Sequence, residues 1–440
     1  MSSFRLARIS LLLAAIGLNA APALMTGAHA QKAAPPAAAP VADTVRPELF
    51  KLLDPAALKQ LITEKKFAEV QDRITQAEAF PAKTAYETYV LDRTKISLGS
   101  ATGNDAMTMS GLEAVIASGR LTPQEQDPFI LALGNFYYNA KNYPKAIEWM
   151  KRYQSDSTTP LKVRASLIRA YYLGGDYENA KALLLPAITD ADKAGQAPSL
   201  EDLRLLGSAA SKLKDVPTYL MTLEKLVALY PSDDYWTDLL HRVMSKPGYN
   251  QALDIDVFRL EAAAVTTMAA EEIVELAELT LAAGFPTEAK KALDAGYAAN
   301  VLGTGSNAAK HKQLRDKAIK GAADDARNIA AGEAGAAKAK DGAGLVNLGY
   351  AYVTMDQFDK GIALMEQGVA KGIIRRADDY KLRLGMAYAK AGRKDDALKT
   401  FGAIKGNDGL GDLARYWIFF VNRPAAPAVQ AAPAGAPAAK

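Results

Sequence analysis

Apolar residues in this chain recur three and four positions apart in short stretches broken by turn residues, a pattern that predicts amphipathic helices joined in pairs. The clearest stretch runs from Leu345 to Ile404, where one hairpin is written twice. Leu348-Gly349-Tyr350-Ala351-Tyr352 returns as Leu384-Gly385-Met386-Ala387-Tyr388, and each copy is followed by a small residue, Gly361 or Ala397, and then a large one, Met365 or Phe401. A small residue on each helix lets the two backbones of a hairpin approach closely, and the aromatic one turn away is expected to fill the gap towards the next hairpin.

Upstream the same spacing predicts further units. Asp127-Pro128 reads as an N-cap followed by proline at the first helical position, with Leu133, Gly134 and Tyr137 on the first helix and Tyr143, Ala146 and Met150 on the second. Tyr171, Tyr177 and Ala180 repeat this one period later, with Gly174-Gly175 as the turn. A third unit carries Leu206, Gly207, Leu223 and Leu226, with Tyr219 in the small-residue slot opposite Ala210. That substitution is expected to push its helices apart or to be absorbed by the alanine. A weaker unit spans Trp236 to Glu261, and a better one runs from Ile273 through Gly284 to Leu293. Leu314, Ala318, Ala322 and Ala326 predict one long helix with a narrow alanine stripe, and Leu413, Trp417 and Phe420 predict a last helix whose apolar face covers the final hairpin.

These motifs resemble the tetratricopeptide repeat, a helix-turn-helix unit of about 34 residues. The resemblance implies an all-α, right-handed α-solenoid of TPR-like helical hairpins, acting as a non-catalytic binding scaffold. It also implies that the first helices line a groove. Counted from the shared glycine, the groove positions are Leu131, Asn135 and Tyr138 in one unit and Ala165, Arg169 and Tyr172 in the next, so Asn135, Tyr138, Arg169 and Tyr172 are the candidate partner-binding residues. The family's carboxylate clamp wants lysine where Leu131 and Ala165 stand, and is expected to be absent.

Composition adds an address. Arg5 and Arg8, the apolar run Ile9 to Leu18 and Ala28-His29-Ala30 fit a secretory leader cleaved after Ala30, which predicts a periplasmic protein without stable membrane insertion. Loss of the leader takes two of 53 bases and none of 49 acids, leaving a net charge of about +2. Nothing in that balance points to nucleic acid, and the partner is expected to be a periplasmic protein or peptide. With no cysteine, disulfides and thiolate chemistry are excluded. His241 and His311 lie in no zinc-binding spacing, so no metal is expected, nor any cofactor. Gly303-Thr304-Gly305-Ser306-Asn307 lacks the Lys-Ser/Thr of a phosphate loop and reads as a helix start capped by Ser306 or Asn307. The basic run Lys310 to Lys320 is interrupted by Asp316 and reads as a solvated face.

The expected organisation is a leader (1–30), an Ala/Pro linker (31–46), a degenerate helical cap (47–126), a repeat array (127–302), an Ala- and charge-rich helical connector (303–344), a repeat doublet (345–409), a capping helix (410–423) and a disordered Ala/Pro tail (424–440). The alternative functions are a cell-wall enzyme built on a solenoid, which needs a catalytic block, and a structural subunit of an envelope assembly.

Overall fold

The structure, a computed structural model, describes residues 43–373 and 375–423; the leader, nearly all of the linker and the tail from Pro424 lie outside the described residues. Those residues form helices and turns with no strand among them, and the fold is an all-α solenoid of helical hairpins. It divides into two compact units, with the division inside one helix, between Leu184 and Leu185.

The first unit opens with α1 (Pro47–Leu53), α2 (Pro55–Thr63) and α3 (Phe67–Ala79). Three hairpins follow: α4 (Ala85–Thr102) with α5 (Asp105–Ala117), α6 (Pro123–Asn139) with α7 (Tyr143–Asp156), and α8 (Arg164–Leu173) with α9 (Tyr177–Lys193), the helix that carries the division. The start of α6 corrects the reading of Asp127-Pro128 as a helix start. Thr122 and Glu125 form a capping box ahead of Pro123, and Pro128 sits inside the helix. A reciprocal cap is a stronger start signal than a single Asp-Pro pair. Its twin at α4 does more: Glu87 caps Thr84 and also receives hydrogen bonds from the Arg46 backbone N–H at 3.0 Å and Nε at 2.8 Å, which ties the first described residues to α4.

The second unit pairs α10 (Leu200–Leu213) with α11 (Val216–Leu229), α12 (Asp233–Met244) with α13 (Asp254–Ala264), and α14 (Ala270–Ala282) with α15 (Pro286–Ala298). The long α16 (Ala308–Asn328) and short α17 (Glu333–Lys338) lead to α18 (Ala343–Thr354) with α19 (Phe358–Lys371), α20 (Ala377–Lys390) with α21 (Lys394–Gly402), and a last helix α22 (Leu410–Asn422). The helix forms as its spacing predicts, but of the stripe only Ala318 is fully buried, Leu314 and Ala322 are half-buried and Ala326 is exposed; Gly321 lies so close to Pro286 that a Cβ there would meet its ring carbon at 2.8 Å. Asn307 precedes α16 but makes no side-chain cap.

One turn geometry recurs between the helices of a hairpin. The carbonyls of Tyr137, Tyr171, Tyr352 and Tyr388 accept from the N–H five residues on, at Asn142, Asp176, Gln357 and Arg393, with distances of 2.9 to 3.0 Å. This closes a Schellman-type turn, which needs a left-handed residue. Gly175 (φ 83°) and Gly392 (φ 74°) supply it freely, while Lys141 (φ 59°) and Asp356 (φ 62°) adopt it at a cost of about 1 kcal/mol. Three of these tyrosines also reach the preceding helix. The Tyr137 hydroxyl donates to Glu113, Tyr352 to Glu333 and Tyr388 to Glu366, with Lys145, Lys360 and Arg393 lying over the respective rings. These three tyrosines thus reach back to the helix before their hairpin, while Phe401, one turn after Ala397, stacks forward on Trp417 of the helix that follows.

The glycines act as expected. A Cβ on Gly361 would stand 2.6 Å from the Gly349 carbonyl oxygen, and one on Gly368 would stand 2.6 Å from that of Gly342, so α18 and α19 touch along their backbones. Gly385 receives the Phe401 ring. In the hairpin that carries Tyr219 the approach at the glycine is looser, with 3.4 Å from a Gly207 Cβ to the nearest atom against 2.4 Å at Gly349 and Gly385. Gly207 meets Thr222, while the Tyr219 hydroxyl leaves the hairpin to donate to Asp238 of α12 at 2.5 Å.

Trp417 is buried as its spacing predicts, stacked on Phe401 with centroids 5.8 Å apart. But α22 does more than cover the final hairpin. Phe420 packs edge-on to Trp236 of α12 at 6.5 Å, Arg415 pairs with Glu224 of α11 at 2.6 Å and Lys246 with Asp412 at 2.7 Å. The Asn250 N–H donates to the Asp408 carbonyl at 3.0 Å. The end of the chain therefore returns to the early helices of its own unit, and a single apolar core runs from Leu223 to Trp417.

Two outcomes follow from these contacts. Gly361→Ala should lower stability by about 1 to 3 kcal/mol, because the methyl would stand 2.6 Å from the Gly349 carbonyl oxygen and 2.7 Å from Val353 Cγ2. Gly335→Ala in α17, with nothing within 4 Å of its Cβ, should be neutral or stabilise by up to about 1 kcal/mol; denaturant unfolding of both variants measures the contrast. The second outcome concerns acid. The hydrogen bond from Arg46 holds the Glu87 carboxyl down at about 2, from an ordinary value of 4.5. A lowered carboxyl contributes stability that is present above about pH 4.5 and is lost as pH falls towards 2. Unfolding followed between those limits should be less pH-dependent in Glu87→Gln than in the parent.

Candidate partner-binding surface and buried polar clusters

Helices α6 and α8 are the first helices of two successive hairpins, and the four candidate residues sit on them in matching register. Asn135 is exposed; Tyr138, Arg169 and Tyr172 are half-buried. Each tyrosine packs edge-on to the residue that opens the second helix of its own hairpin: Tyr138 on Tyr143 with centroids 5.9 Å apart, and Tyr172 on Tyr177 at 5.4 Å. Leu131 turns partly into the core, and Ala165 is exposed. Neither position carries a cation for a carboxylate clamp.

Sequence reasoning missed the apolar residues that border this surface. Leu161, in the 3-10 turn leading into α8, is 74% exposed, and Leu173 at its end is 50% exposed. With Ala165 and Arg169 they step by four along one side of the helix, a spacing that places them on one face. The signal was in the sequence, because an i, i+4 run of leucine and alanine beside the core-facing Val163, Leu167 and Ile168 gives the helix a second apolar edge.

The second unit buries a charged cluster where the sequence suggested only a weak repeat. On α13 every residue from Ile255 to Glu261 is buried, three of them ionisable. Arg259 donates to Asp256 through Nη1 at 2.7 Å and to Glu288 of α15 through Nη2 at 2.7 Å, and its guanidinium lies 4.5 Å from the centroid of Tyr350 on α18. The Tyr350 hydroxyl donates to Glu288 at 3.2 Å, and Lys390 of α20 approaches the same carboxylate at 3.7 Å. Burial pushes the Glu288 carboxyl up, but Arg259 and then Lys390 outweigh it and hold the group below its ordinary value. The arrangement gathers α13, α15 and α18 at the Arg259 guanidinium and adds α20 through Lys390 on Glu288.

A third group joins α12, α13 and α14. His241 Nε2 lies 3.1 Å from Glu272 Oε1, and Glu261 completes a set whose ligand-type atoms all fall within 4.8 Å of one another. Glu261 is fully buried; its Oε1 accepts from Thr237 Oγ1 at 3.2 Å, while its Oε2 has no partner. Burial, then the neighbouring Glu272, pushes its carboxyl up to about 7. The expectation of no metal rested on spacing within the sequence, which is blind to three helices contributing one residue each. His311, the other histidine considered, is buried and accepts from the Gly303 N–H at 3.3 Å. Among the described residues no helix is long and apolar enough to cross a membrane.

Stacked helical hairpins with a recurring turn geometry define a helical repeat fold. Residues 346–409, which include most of the α18/α19 hairpin and all of the α20/α21 hairpin, match the family model of the tetratricopeptide repeat. Similar solved structures include the TPR2AB domain of yeast Sti1 in its complex with pHSP90, at 16% identity and a TM-score of 0.22, covering 67% of this chain and 98% of that one. Another is Naa15/Naa10 bound to HypK-THB, at 13% identity and a TM-score of 0.20, covering 83% of this chain and 70% of that one. No curated protein matches the sequence.

The buried cluster yields its own test. Removing one partner of a buried ion pair leaves the other charge uncompensated, which typically costs about 3 to 5 kcal/mol. Glu288→Ala should lose that much in denaturant unfolding of the full chain, whereas Lys291→Ala, which breaks only an exposed pair with Asp356, should change it by less than about 1 kcal/mol.

Proposed function

We propose that this chain is an exported, non-catalytic scaffold of the bacterial cell envelope that binds a protein or peptide partner on the outer face of α6 and α8. The observation that carries this reading is the stripe of exposed Leu161, Ala165 and Leu173 with the half-buried Arg169 among them, flanked by Tyr138 and Tyr172. Apolar area beside aromatic and guanidinium groups is the composition of an interface centre, and a rigid helix presents it without an ordering cost. The repeat match in residues 346–409 supports the interaction role. Export is supported by the leader-like first 30 residues, with the cleavage position after Ala30.

The experiment is in vivo crosslinking followed by mass spectrometry of the periplasmic fraction, where the mature chain should begin at Gln31. Leu161→Asp combined with Leu173→Asp should weaken capture of the principal partner by at least about tenfold with an unchanged melting temperature, since both side chains already face water. Arg169→Ala should act in the same direction. Undiminished capture by the folded double variant would place binding elsewhere, and recovery of full-length chain in the membrane fraction would overturn the assignment to the periplasm.

A further inference from the structure

We propose that His241, Glu261 and Glu272 form a binding site for one divalent first-row transition-metal ion of the zinc class, built between α12, α13 and α14. The donor set is one imidazole nitrogen and two carboxylates. Imidazole sets this group apart from the all-oxygen sites of Mg2+ and Ca2+ and suits Zn2+ and its neighbours.

The geometry prepares each ligand. Two ligands of one tetrahedral zinc, each about 2.0 to 2.1 Å from the ion, stand about 3.3 to 3.4 Å apart. His241 Nε2 and Glu272 Oε1 are 3.1 Å apart. Each carboxylate has one oxygen already held by the protein: Thr237 Oγ1 donates to Glu261 Oε1 at 3.2 Å, and the Ala269 N–H donates to Glu272 Oε2 at 2.9 Å. The oxygens left over are Glu272 Oε1, beside the histidine, and Glu261 Oε2, which is buried with no partner. Such outer hydrogen bonds orient metal ligands and fix which oxygen binds. An unpaired carboxylate oxygen in a fully buried residue otherwise costs stability, and a shared cation is the partner that satisfies two carboxylates together.

The two sides of the group differ in access. Glu261 forms a closed floor, while the His241 side chain is 50% exposed. An ion is therefore exchanged past the histidine, and a small change in its side-chain torsions draws the three donors from their spread of up to 4.8 Å onto one centre. The simpler arrangement, a His241–Glu272 ion pair alone, uses neither the unpartnered oxygen of Glu261 nor the hydrogen bond that orients it.

The test is isothermal titration of Zn2+ into chelator-stripped, tag-free full-length chain near pH 7.5, paired with melting curves with and without the metal. The expected result is saturation at one ion per chain with about micromolar affinity or better and a metal-dependent rise in melting temperature. Glu261→Gln and His241→Ala should each weaken binding by at least about tenfold and abolish the rise, while Glu271→Gln, an exposed neighbour on the same helix, keeps both. Glu261→Gln is isosteric, and its melting curve in chelator reports whether the fold is intact. Cobalt substitution supplies a second readout: visible absorption with nitrogen ligation in the parent and its loss in His241→Ala. Absence of saturable Zn2+ binding by the parent, or equal binding by the folded Glu261→Gln and His241→Ala variants, overturns the site.

Discussion

The structure depends on how each first helix ends. In four hairpins a tyrosine near that end accepts through its backbone carbonyl the hydrogen bond that closes the turn, where Gly99, Ala210 and Thr280 serve in three others, and in three of the four its hydroxyl binds a carboxylate on the helix before. One residue thus fixes the angle within a hairpin and the seat of that hairpin on its neighbour. Backbone and side chain of the same residue are constrained together, so the second contact adds little further entropy loss. Repetition of a local rule is what turns a series of short helices, each unstable alone, into a continuous core.

Superimposed on that rule are contacts that are not local. In the second unit Arg259 gathers α13, α15 and α18 around one charge, and α22 returns to α11 and α12. A plain solenoid draws stability from adjacent repeats only. Here the Trp236, Phe420, Trp417 and Phe401 rings join the first and last parts of the unit in one aromatic series, and Arg259 and Glu288 specify a mutual position that apolar packing alone leaves free to slide.

The local rule was legible in the amino-acid sequence and the non-local contacts were not. Gly349, Gly361 and Gly385 stand where helices touch, and the Leu-Gly-x-Ala-Tyr spacing finds both the contact and the turn because each is set within a few residues. The helix α16 was legible for the same reason. Asp256, Arg259 and Glu261 lie within the weaker unit that ends at Glu261 and carry no local signal there, since Glu288 and Glu272 arrive from other helices. At the partner-binding surface, Tyr138 and Tyr172 were placed by register, but their packing on Tyr143 and Tyr177 depends on how tightly each turn closes. The exposure of Leu161 and Leu173 depends on which faces the neighbouring hairpins leave uncovered, and periodicity alone does not say.

The return of α22 also imposes an order in time. Trp236 and Glu224 are made well before their partners Phe420 and Arg415, which lie almost two hundred residues further along the chain. The second unit therefore has no finished core until α22 has been made, and closing so long a loop is slow compared with zipping neighbouring hairpins. A chain cut short before Leu410 leaves a tryptophan and an apolar helix face bare, so the final helix acts as a certificate of completeness that chaperones and proteases are equipped to read.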